Sequence, residues 1–173
     1  SSRRADAEFF CPEYQAIREI AKQHSPVALG RLFSIRRGAC IDPHLYDESE
    51  GRCYIRIKEL SLNKPLSRTD SVKIPKEHCC SSYPYANAGD YVLAVIGATI
   101  GKINLISEDM SGSLFSNNTA CLTPRDGIEH PHAYELLLRS TMIQKQIQQR
   151  MAKTAQEKIV DAELKRILVP MLP

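Results

Sequence analysis

Residues 89–106 read GDYVLAVIGATIGKINLI. The apolar, partly β-branched run after the Gly-Asp pair predicts a buried strand. Gly97 and Gly101 bound a tight turn, and a second apolar run follows that turn. The stretch therefore predicts a β-hairpin. Its tip carries Thr99 and Lys102 and little bulk, so we expect that another backbone can approach it closely.

Residues 97–102 also have the outline of a phosphate-binding loop, because two glycines are followed by a lysine. That loop needs four residues between its glycines and a Ser or Thr after the lysine. Here three residues separate the glycines, Ile103 follows the lysine, and a strand is predicted where a helix should begin. The spacing therefore excludes nucleotide binding by this motif.

Four further segments accompany the hairpin. In chain order they are RADAEFF at residues 4–10 with Pro12 and Tyr14 after it, VALGRL at 27–32 with Arg37 and Gly38 after it, YIRIKEL at 54–60, and ILVPMLP at 167–173. In their order and spacing, these segments and the hairpin resemble the target recognition domain of type I restriction-modification specificity subunits. A similar domain lies at the C-terminus of fused N6-adenine DNA methyltransferases. The resemblance covers nearly the whole chain.

The resemblance implies an α+β fold, with a mixed, twisted β-sheet core, an N-terminal helix and C-terminal helices. A length of 173 residues fits one domain, and a hydrophobic content of 43% suffices for a packed core. We divide it into an N-terminal helical segment at residues 1–25, a β-rich core at 26–125, and a C-terminal helical segment with a closing strand at 126–173. Because the sequence begins without Met and ends directly after that strand, we expect it to be part of a longer protein.

Hydrophobic periodicity and turn residues locate the other elements. Apolar residues at helical spacing predict a helix after Pro12, a long helix over residues 132–151, and a short helix or turn at 159–167. Strands are predicted at residues 27–37, 54–57, 71–74, 120–122 and 167–169.

Charge and cysteine content limit the class of protein. The formal net charge of +3 permits DNA binding without requiring it, so the basic residues would have to cluster on one face. The apolar runs are too short to span a bilayer, and we predict no membrane association. Six cysteines, at 11, 40, 53, 79, 80 and 121, form no Cys-x-x-Cys pair. We therefore predict no metal site and no disulfide framework, and expect reduced thiols in a cytoplasmic protein.

Two irregular polar stretches, at residues 61–70 and 75–88, are the predicted DNA-reading loops. They carry Arg and Lys, which pair with guanine, Asn, which pairs with adenine, and tyrosines for apolar or stacking contacts. The alternative is that loops are polar whatever their function. Given the resemblance, we expect both loops and the hairpin tip to lie against one groove of double-stranded DNA. The predicted DNA-binding residues are Arg56, Lys58, Asn63, Lys64, Arg68, Lys73, Lys76, Tyr83, Tyr85, Thr99, Lys102 and Asn117.

Two interpretations stay open within this set. Asn117 and its neighbour Asn118 precede a predicted strand, where an amide side chain can also bond backbone groups. Residues 82–85 read SYPY, which differs from the Asp/Asn/Ser-Pro-Pro-aromatic loop of amino-methyltransferases at the first proline. We interpret that segment as a turn with exposed aromatic rings.

The sequence contains no local catalytic motif. Its five histidines have no Ser or Cys motif beside them, and there is no His-Glu-x-x-His. We predict a non-enzymatic domain without a cofactor. The resemblance implies that it recognises a double-stranded DNA sequence and directs adenine methylation and cleavage. Methyltransferase and restriction subunits or domains of the same system would perform those reactions and are the predicted partners. The alternatives are a protein-interaction module that docks through its C-terminal helices, and an enzyme with a dispersed site.

Overall fold

The computed structural model describes residues 12–23, 25–47, 49–126, 128–151 and 157–171. The helices are α1 (Pro12–Lys22), α2 (Leu29–Leu32), α3 (Pro131–Arg139), α4 (Thr141–Arg150) and α5 (Asp161–Leu164). The strands are β1 (Val27–Ala28), β2 (Phe33–Arg37), β3 (Arg52–Ile55), β4 (Val72–Ile74), β5 (Tyr85–Ala86), β6 (Tyr91–Ala94), β7 (Ile103–Leu105), β8 (Ser113–Phe115), β9 (Thr119–Pro124) and β10 (Leu168–Val169). Residues 4–10, which carry part of the family resemblance, and Cys11 lie outside the described residues. Among the helices listed, none has the length and apolar character of a membrane span.

The strands form three sheets, which confirms the predicted α+β class. The first sheet is antiparallel, with the strand order β2-β9-β6-β7. The second has the order β4-β3-β8-β5 and is mixed, because β3 and β8 run parallel. A two-stranded ribbon of β1 and β10 joins the two ends of the domain.

The predicted hairpin forms from β6 and β7, in which Val92 lies opposite Asn104. Side chains alternate between the faces of a strand, and in β6 both faces are buried. Tyr91 and Leu93 pack into the core under the helices, whereas Val92 and Ala94 pack between the two sheets. This two-sided burial explains why β6 is a continuous apolar run in the sequence.

Aromatic rings organise the core between the first sheet and the helices. The Phe33 ring lies edge-on to Tyr91, with ring centroids 5.6 Å apart, and edge-on to Tyr134 at 6.2 Å. The Tyr91 hydroxyl donates a hydrogen bond of 2.7 Å to the carbonyl of Pro131 at the start of α3. These contacts fix α3 on the hairpin.

The strand predicted at residues 27–37 is interrupted by α2. Leu29 and Leu32 lie three residues apart, so one helical turn buries both side chains on the same face. The amide of Leu29 donates to the carbonyl of Ile167, and the amide of Gly30 donates to that of Lys165. The segment therefore pairs first with the end of the chain and then, through β2, with β9.

The helix predicted at residues 132–151 is two helices that meet at Ser140. The backbone of Ser140 is extended, with φ −62° and ψ 152°, and its carbonyl accepts from the amides of Ile143 and Gln144. The Ser140 hydroxyl makes no capping bond, so the break rests on this extended backbone and on the carbonyl that begins α4. The break lets α3 pack on β7 while α4 packs on α1.

Two buried groups that ionise in alkali, the Tyr54 hydroxyl and the Cys121 thiol, predict a loss of stability at high pH. Burial raises the pKa of the Tyr54 hydroxyl from 10.0 to about 12, and burial followed by the Asp90 carboxylate raises the pKa of the Cys121 thiol from 9.0 to about 12. A raised folded-state pKa means that the stability contribution is complete below the unfolded-state pKa and is lost as pH rises toward the folded-state value. We therefore expect the free energy of unfolding to fall between pH 9 and 12.

The variant Tyr54→Phe tests this expectation. At pH 8 it should cost about 1 kcal/mol, because it removes the hydrogen bond that the Tyr54 hydroxyl donates to the carbonyl of Ala39. Toward pH 11 the difference from the wild type should shrink, because the variant lacks a group whose ionisation favours unfolding. Urea unfolding curves at the two pH values measure both differences, and a constant difference would contradict the assignment.

Candidate nucleic-acid interface

The register of the second sheet determines which loops share one of its ends. Tyr54 of β3 lies opposite Val72 of β4 and beside Leu114 of β8, which pairs with Tyr85 of β5. Strands β3 and β8 run one way, and β4 and β5 run the other. The chain after β3, before β4, after β8 and before β5 therefore meets at one end of this sheet, which we call the loop end.

Most of the predicted DNA-binding residues belong to segments at the loop end. The largest segment, residues 56–70, connects β3 to β4, and we call it the basic loop because it holds four basic and two acidic side chains. The predicted residues at the loop end are Arg56, Lys58, Asn63, Lys64 and Arg68 in the basic loop, Tyr83 before β5, and Asn117 after β8.

Arg56 closes the first turn of the basic loop and does not extend toward a ligand. The buried Glu59 carboxylate accepts a 2.8 Å bond from the Arg56 amide and a 2.5 Å bond from its guanidinium. The guanidinium also lies over the Tyr46 ring, 5.1 Å from its centroid. Because its charge is compensated by Glu59, and its Nε and Nη2 atoms donate to that carboxylate, we remove Arg56 from the proposed contacts.

A groove of about 200 Å³ lies between this turn and the rest of the basic loop. Lys58 and Lys64 line this groove, and their side chains are 66% and 65% exposed. Each of them has a carboxylate nearby. The Lys58 ammonium lies 3.9 Å from Glu59, and that of Lys64 lies 3.4 Å from Asp70. The Lys64–Asp70 pair is exposed on both sides, and such pairs contribute little to stability. The Glu59 carboxylate is buried but already pairs with Arg56, so both lysines can turn toward an external phosphate at little cost.

The basic loop is irregular, but bonds to the surrounding structure order it. The buried side chain of Asn104 accepts from the Ser61 amide and donates to the Lys64 carbonyl, at 2.9 and 2.8 Å. Leu66 is buried in the core between the sheets. The exposed Arg68 donates to the carbonyl of Asp109 at 3.2 Å. The loop thus presents its charges from a fixed backbone.

The second predicted loop does not begin beside the first. Ile74 of β4 pairs with Arg52 at the start of β3, so residues 75–79 leave the end of the sheet opposite to the loop end. Lys76 lies there in a cleft of about 340 Å³ shared with Asp47, Glu50 and Glu77. The expectation that both loops meet one groove from the same end is wrong for this part, and the acidic surroundings disfavour a DNA phosphate at Lys76.

The two predicted tyrosines are half-buried, not exposed, because they pack on the outer face of the second sheet. The Tyr85 hydroxyl donates to the carbonyl of Cys80 at 2.9 Å, and the Arg52 guanidinium lies 5.1 Å from the centre of the Tyr85 ring. Asn117 is exposed, and its backbone amide donates to the carbonyl of Ala39.

Lys73 lies on the inner face of the second sheet, which points toward the first sheet. Its neighbours Val72 and Ile74 pack on the outer face, so alternation directs Lys73 inward. The residue is 8% exposed and its ammonium donates to the carbonyl of Ser71 at 3.2 Å. Burial therefore removes Lys73 from the proposed DNA contacts.

A backbone does approach the hairpin tip closely, and it belongs to this chain. The amide of Gly97 donates to the carbonyl of Glu157 at 2.9 Å. A side chain at Gly101 would meet the Gln144 amide oxygen at 2.2 Å, and Gln144 donates to the Gly101 carbonyl. The Thr99 hydroxyl is buried, and no hydrogen-bond partner for it lies among the described residues. The tip is therefore an internal contact, and Thr99 leaves the proposed set. Lys102 is half-buried and stays a prediction outside the contacts proposed below.

The fold resembles solved structures from type I restriction-modification systems. The S subunit of a type I restriction-modification system from M. genitalium matches with a TM-score of 0.56 at 14% identity over 84% of this chain. The HsdS subunit from Thermoanaerobacter tengcongensis matches with a TM-score of 0.60 at 14% identity over 93%. A chain from a study of assembly and conformational transition in a type I R-M system matches at 0.62, with 16% identity over 92%.

The chain shares the fold of type I specificity subunits. It spans 33%, 40% and 42% of the three matched chains from M. genitalium, T. tengcongensis and the assembly study, respectively. No family model matches the sequence, and no curated protein matches it. At this level of identity the likeness concerns the fold, so the function rests on the geometry of the site.

On this specificity-subunit fold, sequence reasoning missed the residues that hold the loops. Asn104 was predicted only as part of the second apolar run, although a polar residue inside an apolar stretch can indicate a buried hydrogen bond. Asp90 was noted only as part of the Gly-Asp pair before the first run. Arg52 was not singled out.

Within the described ranges, no three His, Cys, Asp or Glu side chains are grouped to hold a metal ion. The described cysteines, at 40, 53, 79, 80 and 121, are free thiols.

Proposed function

We propose that this chain recognises a specific sequence in double-stranded DNA for a type I restriction-modification system. The observation that carries the proposal is the groove of the basic loop, where two exposed lysines stand at one end of a sheet in a specificity-subunit fold. Long, exposed ammonium groups on a rigid loop suit the phosphate backbone, which supplies most of the affinity in protein–DNA complexes.

The proposed contacts divide into two kinds. Lys58, Lys64 and Arg68 bind phosphates and fix the position of the domain on the duplex. Asn63 and Asn117 are exposed amides at the same loop end, and a side-chain amide can donate to and accept from the edge of adenine at once. Base discrimination is therefore assigned to the two asparagines, and orientation to the three basic side chains.

In the proposed system, methylation of adenine and cleavage belong to separate methyltransferase and restriction subunits or domains. This chain supplies recognition and directs those activities to a site. Its length relative to the matched chains supports the view that it is one recognition unit of a larger assembly.

The alternative, a module that docks a protein through its C-terminal helices, has less support. Polar side chains of α4 that would serve such a surface are turned inward. Gln146 is buried and bonds the backbone of Leu168, and Arg150 is buried and pairs with Glu163 at 2.9 Å. The largest exposed apolar side chain of the two long C-terminal helices is Leu136, on α3, and one exposed leucine is ordinary for a soluble surface.

Selection from a randomised duplex library tests the proposed function. A single module buries roughly 600–1,000 Å² on DNA, so we expect weak binding at about 50 mM salt with a clear enrichment of one short sequence. Each mismatch in that sequence should weaken binding by about 5- to 160-fold, as one to three kcal/mol implies. Equal affinity for all duplexes would reject sequence recognition, and no binding at low salt would reject DNA binding by this chain.

A further inference from the structure

Asn104 is a polar residue in a place where the sheet pattern calls for an apolar one. It lies in the middle of β7 opposite Val92, which packs between the two sheets, and its exposed fraction is 0%. An amide buried at such a position is unfavourable unless its donors and acceptor are bonded. The bonds that Asn104 makes therefore explain its presence.

Both bonds go to the backbone of the basic loop, about forty residues earlier in the chain. The Asn104 Oδ1 atom accepts from the Ser61 amide at 2.9 Å, and its Nδ2 atom donates to the Lys64 carbonyl at 2.8 Å. The two bonded residues flank Leu62 and Asn63. A single side chain of the first sheet thus fixes the segment that presents Asn63 and Lys64 at the loop end of the second.

We infer that Asn104 is a positioning residue for DNA recognition, which holds the basic loop in its binding conformation before DNA arrives. This inference rests on the proposed function. A loop that is already ordered loses little conformational freedom on binding, and its base-reading groups keep a fixed register. A loop released from Asn104 retains its charges but presents Asn63 in many orientations.

Asn104→Ala should therefore separate two properties of DNA binding. Discrimination between the selected duplex and a single-mismatch duplex should fall by about 10-fold, because one mismatch commonly corresponds to a difference of this size. The dependence of affinity on salt should stay unchanged, because the charges of Lys58, Lys64 and Arg68 remain. Fluorescence anisotropy with both duplexes over a range of salt concentrations measures the two quantities.

Gln146 provides a matched control elsewhere in the same chain. It is also a buried amide, 1% exposed, which donates to the carbonyl and accepts from the amide of Leu168, at 2.9 and 2.8 Å. Gln146→Ala should lower thermal stability as Asn104→Ala does, while its discrimination between the duplexes should match the wild type. Equal loss of discrimination in both variants would mean a general effect of instability and would overturn the inference.

A second measurement uses the wild-type chain and does not depend on a variant that folds. Hydrogen exchange should find the Ser61 amide protected in the DNA-free chain to the same degree as in the complex. Fast exchange that slows with DNA would overturn the inference, because the loop would then be ordered by its ligand. If the wild type binds no duplex, the proposed function fails; if it discriminates and Asn104→Ala discriminates equally well, the positioning role alone fails.

Discussion

A triple variant, Lys58→Ala, Lys64→Ala and Arg68→Ala, should bind duplex DNA on the order of 100-fold more weakly at 0.1 M salt. Each phosphate contact contributes about 0.9 to the slope of log affinity against log salt concentration, so the slope should fall by nearly 3. The loss should be similar for the selected duplex and for unrelated duplexes, because phosphate contacts carry no sequence information. Global folding should be unaffected, since these side chains are exposed. The variant loses the exposed bond from Arg68 to the Asp109 carbonyl, but Asn104 and the buried Leu66 still hold the loop.

A matched variant removes three exposed charges from another part of the chain. Lys22 lies at the end of α1, and Lys165 and Arg166 directly follow α5. Replacing these with alanine produces the same net charge as the triple variant. Binding close to wild type in this control would show that the position of the charges matters, whereas equal losses in both variants would contradict an interface at the basic loop.

The central hairpin could be predicted from the sequence because it is encoded locally, whereas the α+β fold as a whole was implied by the family resemblance. Residues 89–106 contain both strands, the turn glycines and the apolar pattern, so the pairing of β6 with β7 could be predicted from this stretch alone. The interruption of residues 27–37 was missed because α2 forms against the far end of the chain, at Lys165 and Ile167. Contacts across more than a hundred residues leave no mark on local periodicity.

The candidate site was predicted in part, for a similar reason. Composition located the basic loop, where Lys58, Lys64 and Arg68 are exposed. The hairpin tip looked equally accessible, but Gln144 and Glu157 cover it, and neither is close to the tip in sequence. Lys73 is different, because its apolar neighbours on both sides predict an outward lysine by strand alternation. The structure instead packs Val72 and Ile74 on the outer face and buries Lys73 on the inner one.

The second predicted loop begins at one end of the second sheet and ends at the other, so only its last residues can contribute to recognition beside the basic loop. The start of the second loop is distant from the basic loop, yet its end returns to the loop end at Tyr83. An ion pair of Arg36 and Asp90, which lies between the two sheets, supports the backbone at this end of the second loop. The Arg36 guanidinium donates to the Tyr85 carbonyl at 3.0 Å and to the Asp90 carboxylate at 3.1 Å, and Asp90 also accepts from the Asn87 amide at 2.9 Å.

Asp90→Ala should therefore lower the free energy of unfolding by about 3 kcal/mol. The Asp90 side chain is 5% exposed and that of Arg36 is 37% exposed. Removing one member of a buried pair costs 3–5 kcal/mol, and the partial exposure of Arg36 places the value at the lower end. For a chain of this length, such a loss corresponds to a fall in melting temperature of about 6–12 °C. Calorimetry or circular dichroism measures it, with the exposed Asp126→Ala as a control that should shift little.

The same pair makes a prediction about additivity. Once Asp90 is alanine, the Arg36 guanidinium has lost its carboxylate, and Arg36→Met should add less destabilisation than it causes in the wild-type chain. The remaining effect would report the bonds from Arg36 to Tyr85 and to the Thr123 hydroxyl, at 3.0 and 3.1 Å. Strictly additive losses would mean that the two side chains act independently, and the segment before Tyr85 would then need another anchor. A coupled loss instead shows that Arg36 and Asp90 act as one ion pair, which supports the end of the second loop through the bond from Arg36 to the Tyr85 carbonyl.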